Sequence, residues 1–200
     1  MEPLISHTGT TAVLRRNAVN TDQIIPVEFC RGFTRSGYEQ GLFANWRKHP
    51  DFVLNDSRHA NATVLVAGAD FGTGSSREHA VWALWDWGLR AVVAPSFGDI
   101  FRRNAWKNGL LAVTLPEPVV DELMRLGEHS AELQVTVDLA SMEVRWPGAA
   151  HSFAVDTRAR WLLMNGFDEI AVSLAQDEAI SSYERGRAHW LPAFSPDAAS

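Results

Sequence analysis

Ala62-Thr63-Val64-Leu65-Val66-Ala67, bounded by Gly68, is a short apolar run with β-branched residues and suits a buried strand. A glycine-rich turn follows, then a helical pattern from about Ser76 to Trp87 that Gly88 stops. Ala91-Val92-Val93-Ala94 reads as a second strand, ended by Pro95. Asp99 to Asn108 reads as a second helix stopped by Gly109, and Leu110-Leu111-Ala112-Val113-Thr114-Leu115 as a third strand. Strand–helix–strand–helix–strand across residues 61–115 predicts an α/β fold whose parallel strands are joined by right-handed crossovers.

Working outward, residues 1–60 are rich in turns and punctuated by Gly9, Pro26, Gly32, Gly37, Gly41 and Pro50. Their one clearly extended piece surrounds Ile24-Ile25-Pro26-Val27, so this part is expected to be loops wrapped on a core. Beyond the central stretch, Pro118 to Leu126 is expected to be helical. Gln134–Leu139 and Met142–Trp146 alternate as a hairpin around Ala140-Ser141. Arg158–Met164 and Glu169–Tyr183 read as helices, capped by Asp156 or Thr157 and by Asp168. From Arg187 onward, with Pro192, Pro196 and Ala198-Ala199-Ser200, a loose tail is expected. The chain is thus read as one domain over 1–186 and a flexible tail over 187–200.

Length and composition agree with this. The 200 residues suit one domain with at most a small appendage, and 46% hydrophobic with 21% charged residues excludes disorder as the default. Lys and Arg total 18 against 24 Asp and Glu, a formal charge of −6, with no basic block to suit nucleic acid. The single cysteine, Cys30, excludes an intrachain disulfide and any all-cysteine zinc or iron–sulfur site built by this chain alone. The seven histidines form no H-x-x-x-H or H-x-H pair, so no metal site is expected. Met1-Glu2-Pro3-Leu4-Ile5-Ser6-His7 lacks the basic flank and apolar core of a signal peptide, and no apolar run reaches the roughly 20 residues that span a bilayer. A cytoplasmic protein with no membrane partner is expected.

The most informative residues are Gly68-Ala69-Asp70-Phe71-Gly72-Thr73-Gly74-Ser75-Ser76-Arg77-Glu78-His79-Ala80, at the carboxyl end of a buried strand, where ligands of parallel sheets bind. Three glycines allow close backbone approach, and the free N–H groups of a helix start favour an anion. Arg77 can hold a carboxylate bidentately, and the Ser75 and Ser76 hydroxyls share its turn. These parts suit a small, multiply charged carboxylic acid. No Lys stands where a P-loop needs one, Arg77 replaces the third Rossmann glycine, and no Gly lies two residues after either serine as a nucleophile elbow requires. Ser75-Ser76-Arg77-Glu78 also has the capping-box form, in which Ser75 would cap the helix and Glu78 reach back. Capping and ligand binding ask different things of the Ser75 hydroxyl, and both readings stay open on the residues alone.

Gly72-Thr73-Gly74-Ser75-Ser76-Arg77-Glu78-His79-Ala80 resembles the signature of the small-subunit, swivelling-domain part of the aconitase superfamily. In motif order the chain is most similar to the small-subunit family of bacterial isopropylmalate isomerases. Asn20-Thr21-Asp22-Gln23-Ile24-Ile25-Pro26 resembles that family's D-T-D-x-I-I-P, and Thr34-Arg35-Ser36-Gly37 its T-R-T-G. Asp51-Phe52-Val53-Leu54-Asn55, Ser96-Phe97-Gly98-Asp99-Ile100-Phe101 with Asn108-Gly109-Leu110-Leu111, and Met164-Asn165-Gly166-Phe167-Asp168 also match in order and spacing. The resemblance covers roughly residues 7–185.

It implies an aconitase-like swivelling domain, with β/β/α layers and a mostly parallel central sheet. It also implies a hydro-lyase that interconverts 2- and 3-isopropylmalate through 2-isopropylmaleate in leucine biosynthesis. Such an enzyme is active only with a large subunit that carries a [4Fe–4S] cluster, and the single Cys30 suits that division of labour. By residue match, Ser75 would be the base, with Ser76, Arg77, Gly74 and Arg35 binding substrate. Asp22, Gly72, Thr73, Glu78 and His79 would shape or support the site. Asp22 and Thr21 are themselves turn-forming residues, and a lone Arg in a Gly-flanked loop, as Arg35 is, is more often a solvated surface charge. Asn20 replaces the first Asp of the motif, Ser36 replaces a Thr, and Phe29-Cys30-Arg31-Gly32-Phe33 stands where the family more often has F-L-K-x-V. Substrate side-chain preference is expected to be set in the loop around residues 29–37, so another substituted malate is the alternative. A non-catalytic carboxylate-binding module is the second alternative, while no base–acid partner supports a self-sufficient serine enzyme. Trp82 and Trp85 share a helical face and are expected to pack against the sheet rather than to meet a partner.

Overall fold

Seven strands form one sheet in the computed structural model, which describes residues 2–32, 34–188 and 190–191. In chain order the elements are β1 (Ser6–Leu14), α1 (Thr21–Ile24), β2 (Val64–Ala67), α2 (His79–Trp87), β3 (Ala91–Ala94), α3 (Asp99–Lys107), β4 (Leu111–Thr114) and α4 (Glu117–His129). They are followed by β5 (Gln134–Asp138), β6 (Glu143–Trp146), β7 (Ala149–Ser152), α5 (Thr157–Asn165), α6 (Glu169–Leu174) and α7 (Asp177–Gly186). Across the sheet the order is β4-β3-β2-β1-β5-β6-β7. β1 to β4 run parallel, and β5, β6 and β7 continue antiparallel from β1. The expected strand–helix alternation is present, and the parallel half carries the predicted turn at the carboxyl end of β2.

Alternation along the buried strands creates two cores. Leu65 and Ala67 of β2, Val92 and Ala94 of β3 and Ala112 of β4 face α2, α3 and the N-terminal wrapping segment. Val64, Val66, Ala91, Val93, Leu111 and Val113 face the opposite way, onto Val120, Leu123 and Met124 of α4. A strand buried on both faces has no polar positions, which is why Val64–Ala67 reads as a continuous apolar run. The Leu65–Val92 and Val92–Ala112 registers stack these side chains level across the parallel half.

Four expectations are corrected. Ser6–Leu14, read as loop, is the central strand β1, pairing β2 on one side and β5 on the other. Its first half is polar and half-exposed, so no apolar run marks it. The extended piece expected around Ile24-Ile25-Pro26-Val27 shrinks to Ile25 and Pro26, since Ile24 ends α1 and Val27 opens a 3-10 turn. Both isoleucines are fully buried, so they are apolar because they anchor the wrapping segment. The single helix expected over Glu169–Tyr183 divides into α6 and α7, with Ala175 as the C-cap of α6 and Gln176 as the N-cap of α7. The helix expected from Ser76 begins at His79. The hairpin at Ala140-Ser141 forms, Asp156 and Asp168 cap α5 and α6 through the Ala159 and Ala171 N–H groups, and β7 is an additional edge strand. Trp82 and Trp85 are half-buried against the first core. Arg90 lies 3.8 Å over the Trp85 ring. Pro192, Pro196 and the rest of the expected tail over 192–200 lie outside the described residues. Among those described, no helix is long and apolar enough to cross a membrane.

Candidate active site

The turn after β2 is held from both sides by backbone. On one side, residues 17–21 run alongside it: Ala18 N–H donates to Ala69 O (2.8 Å), Gly72 N–H to Val19 O (2.7 Å) and Thr21 N–H to Thr73 O (2.9 Å). On the other side, Phe71 N–H donates to Ser96 O (3.1 Å) and Gly98 N–H to Phe71 O (2.9 Å), extending the pairing of β2 with β3. The Ser96 hydroxyl, which donates to Asp70 Oδ1 (2.8 Å), receives the Asp70 N–H at 2.7 Å. Gly72, with φ +77°, lies so close to α3 that a Cβ there would fall 2.2 Å from Phe101 Cγ. The turn is therefore built by three segments distant in sequence.

At its tip, Gly74, Ser75 and Ser76 are exposed. Their backbone N–H groups and both hydroxyls have no hydrogen-bond partner among the described residues. The Ser75 carbonyl, by contrast, is tied down, accepting from Arg77 N–H (2.8 Å) and from the buried Thr21 hydroxyl (3.0 Å). The capping box does not form: Glu78 is the N-cap residue, with no side-chain capping bond. Its carboxylate accepts instead from Asn108 Nδ2 at 2.6 Å. With the hydroxyls and the N–H groups of these exposed residues uncommitted, the tip has donors available to an anion.

Arg77, more than three-quarters buried, is ion-paired through Nη1 to Asp22 on α1. A guanidinium has five donors, so this pairing orients it and leaves other N–H groups for a ligand. Cys30 lies within electrostatic reach of both. Burial, foremost, pushes its thiol up, with Arg77 opposing and Asp22 adding to the rise. The structure thus brings together Asp22, Gly72, Thr73, Gly74, Ser75, Ser76 and Arg77. His79 stands on the first turn of α2 with its ring edge-on to Tyr38 (5.2 Å) and Trp82 (4.8 Å).

Arg35 is exposed and lines, with Glu78, Asn104, Lys107, Asn108 and Asp168, a cleft of about 250 Å³ whose lining does not include Ser75 or Ser76. The Ala171 N–H, foremost, and more weakly Arg35 among other groups hold the Asp168 carboxyl below the usual range. Sequence reasoning missed Tyr38 and Asn108 as supports. Tyr38 sits 41 positions before His79 (79 minus 38), and Asn108 sits 30 after Glu78, so no local pattern could flag either.

The donor set does not fit an iron–sulfur cluster. One thiol is present, and among the described residues no group of three or more His, Cys, Asp or Glu gathers. No step on this chain is therefore assigned to such a group. Among the described residues no imidazole or carboxylate hydrogen-bonds the Ser75 hydroxyl, an arrangement unlike a serine hydrolase triad.

The carboxyl end of a central parallel strand bearing a serine–arginine anion turn, strapped by residues 17–21 and paired through Arg77 to Asp22, defines a domain of the aconitase C-terminal type. Residues 1–118 match the Aconitase C-terminal domain family. Similarity extends over nearly the whole chain to 3-isopropylmalate dehydratase small subunits. That of Acidothermus cellulolyticus is 52% identical over 192 residues, covering 96% of this chain and 98% of the relative. That of Streptomyces coelicolor is 50% identical over 196 residues, covering 98% of each. The crystal structure of 3-isopropylmalate dehydratase from Methanocaldococcus jannaschii superposes with a TM-score of 0.67 at 25% identity, over 90% of this chain and 99% of that one. This chain belongs to the 3-isopropylmalate dehydratase small-subunit family.

Proposed function

We propose that this chain is the small subunit of a 3-isopropylmalate dehydratase, a hydro-lyase of leucine biosynthesis. It would interconvert 2- and 3-isopropylmalate through 2-isopropylmaleate in complex with a large subunit. The observation that carries the reading is the tip at 74–77. Three N–H groups without a partner among the described residues, two uncommitted hydroxyls and an arginine held by Asp22 lie within these four residues. A substrate carboxylate binds Arg77 and the N–H groups, with Ser76 as a further donor. Ser75, as its alkoxide, takes the proton from the carbon beside that carboxylate. The C–O bond on the neighbouring carbon breaks as the hydroxyl takes a proton from an acid assigned to the large subunit and leaves as water, and the unsaturated acid forms. Re-addition puts the hydroxyl on the other carbon and returns the proton from Ser75. An alkoxide is stabilised by N–H groups and a nearby cation, which this tip supplies. Departure of the hydroxyl is assigned to the large subunit, the proposed seat of the [4Fe–4S] cluster. The exposed tip also suits a site completed by a partner.

The reading is tested by anaerobic turnover of a panel of substituted malates with this chain and a cluster-loaded large subunit. Isopropylmalate turnover that falls at least about a hundredfold in Ser75→Ala is expected. Activity confined to another malate would keep the mechanism and reassign the substrate. The departures at Phe29-Cys30-Arg31-Gly32-Phe33 make that the second reading. Carboxylate binding without association or turnover would leave a binding module.

A further inference from the structure

Thr21 is 1% exposed, yet its hydroxyl makes no bond within its own turn. The start of α1 is closed by the neighbours of Thr21. Gln23 N–H donates to Asn20 Oδ1 (2.9 Å) and Asn20 N–H to Gln23 Oε1 (2.9 Å), a complete capping box. The Thr21 hydroxyl instead crosses to a residue 54 positions away, donating to Ser75 O at 3.0 Å. Its backbone N–H reaches the same turn two residues earlier, donating to Thr73 O at 2.9 Å. One buried residue thus holds the carbonyls of both Thr73 and Ser75. The approach is close, since a Cβ added to Gly74 would lie 3.6 Å from Thr21 Oγ1.

Those two bonds fix more than the carbonyls. A trans peptide unit is planar, with its C=O and its N–H pointing in opposite directions, and among the described residues no peptide bond is cis. With Thr73 O and Ser75 O turned toward Thr21, the Gly74 and Ser76 N–H groups are turned away from it. Thr21 is buried while Gly74 and Ser76 are exposed, so both N–H groups face the open side of the turn. Neither has a partner among the described residues. Ser75 O also accepts from Arg77 N–H (2.8 Å), but that bond lies within the turn. Among the described residues, Thr21 alone ties the Ser75 carbonyl to a distant part of the fold.

We propose that Thr21 is a positioning residue for the proton-transfer step, acting through the two peptide units it pins. Its bonds hold the Gly74 and Ser76 N–H groups ready for the anionic atoms of the reaction. This rests on the function proposed above. When the C–H bond breaks, its proton goes to Ser75 Oγ and the electron pair left on carbon spreads into the adjacent carboxylate. That carboxylate therefore gains charge as the proton leaves. Donors aimed in advance at developing charge lower the barrier without reorganising at the moment of reaction, so losing the aim costs turnover more than binding.

Thr21→Val replaces the hydroxyl by a methyl of similar size and keeps the backbone N–H. In the complete enzyme kcat for isopropylmalate is expected to fall about tenfold to a hundredfold, no more than the loss of a whole oxyanion donor, with KM within about threefold. Isopropylmalate deuterated at the carbon that gives up its proton should turn over more slowly than the unlabelled acid in this variant. That isotope effect should be no smaller than the wild type's, because proton removal is the step that slowed. Thr21→Ser keeps the hydroxyl and should restore kcat to within about threefold of wild type. In the full chain alone, the Gly74 and Ser76 amide resonances should shift in Thr21→Val while those of α5 stay in place. Thr21→Ala carries the same comparison if Thr21→Val does not fold. Wild-type kcat in a folded variant that assembles with the large subunit overturns the proposal. So does a lowered kcat with no isotope effect, or one that Thr21→Ser leaves equally low. A wild-type enzyme inactive on every malate would overturn the underlying function instead, and the role of Thr21 with it.

Discussion

Gly72 and Gly74 stand two residues apart in the same turn, both with positive φ (+77° and +95°), yet they face different surroundings. At Gly74 an added Cβ would meet its nearest heavy atom, Asn20 Cβ, at an ordinary 3.5 Å. Gly74→Ala then costs only the left-handed backbone, about 1–2 kcal/mol. At Gly72 the Cβ would fall 2.2 Å from Phe101 Cγ and 2.6 Å from Phe101 Cβ. Those atoms are the root of a side chain only 2% exposed, so they cannot swing away. Overpacking adds about 1–3 kcal/mol, so Gly72→Ala should cost about 2–5 kcal/mol in all. For a chain of this size a loss of 1 kcal/mol lowers Tm by roughly 2–4 °C. Gly72→Ala should therefore melt about 4–20 °C below wild type, and Gly74→Ala about 2–8 °C below, the larger drop always at Gly72. Circular dichroism melts of both variants, with urea titrations to compare ΔG, make the measurement. If the two melt within about 1 °C of each other, the close approach of the turn to α3 is wrong, and with it the argument for what holds the serines in place.

Two further predictions bear on the site and on the sheet. Asp22 is more than half exposed, so Asp22→Asn should lower stability by less than about 1 kcal/mol, yet raise KM several-fold by releasing Arg77. A lowered KM would instead mean that Asp22 competes with substrate for the guanidinium. His7 hydrogen-bonds Thr63 Oγ1 at 2.8 Å, and burial, with Arg90 adding, holds its pKa below the ordinary 6.5. The unfolded chain therefore binds more protons at this position, so stability should fall as pH drops below about 6.5 and level off beneath the folded-state value. His7→Gln should flatten that slope in urea titrations run from pH 8 to 5.

The parts legible in the sequence are those whose cause is local. Val64–Ala67 and Ala91–Ala94 are strands because every residue is apolar and buried on both faces, which a four-residue window reveals. Asp156 and Asp168 announce their helices because a cap bonds to an N–H three residues on. β1 was not legible: Ser6-His7-Thr8-Gly9-Thr10 is polar, and it is a strand because β5, more than 120 positions away, pairs with it, while β2 pairs with the following Thr11–Leu14. The 169–183 stretch has helical periodicity throughout, but no local signal marked where α6 yields to α7.

At the site the division has the same origin. Glycines, hydroxyls and an arginine within six consecutive residues make the anion turn readable from the chain, and their order carries the family resemblance. Whether Ser75 caps a helix or keeps its hydroxyl uncommitted was not readable, since the capping box and the anion turn share one string of residues. That was decided by α2 starting at His79, by Asn108 taking the Glu78 carboxylate, and by Thr21 holding the Ser75 carbonyl. The placement of Arg35 in a cleft whose lining excludes both serines was decided the same way. Neighbours along the chain determine propensity and capping potential. Which of two competing hydrogen bonds forms depends on partners 30 to 55 residues away, and only the packed fold brings those within reach.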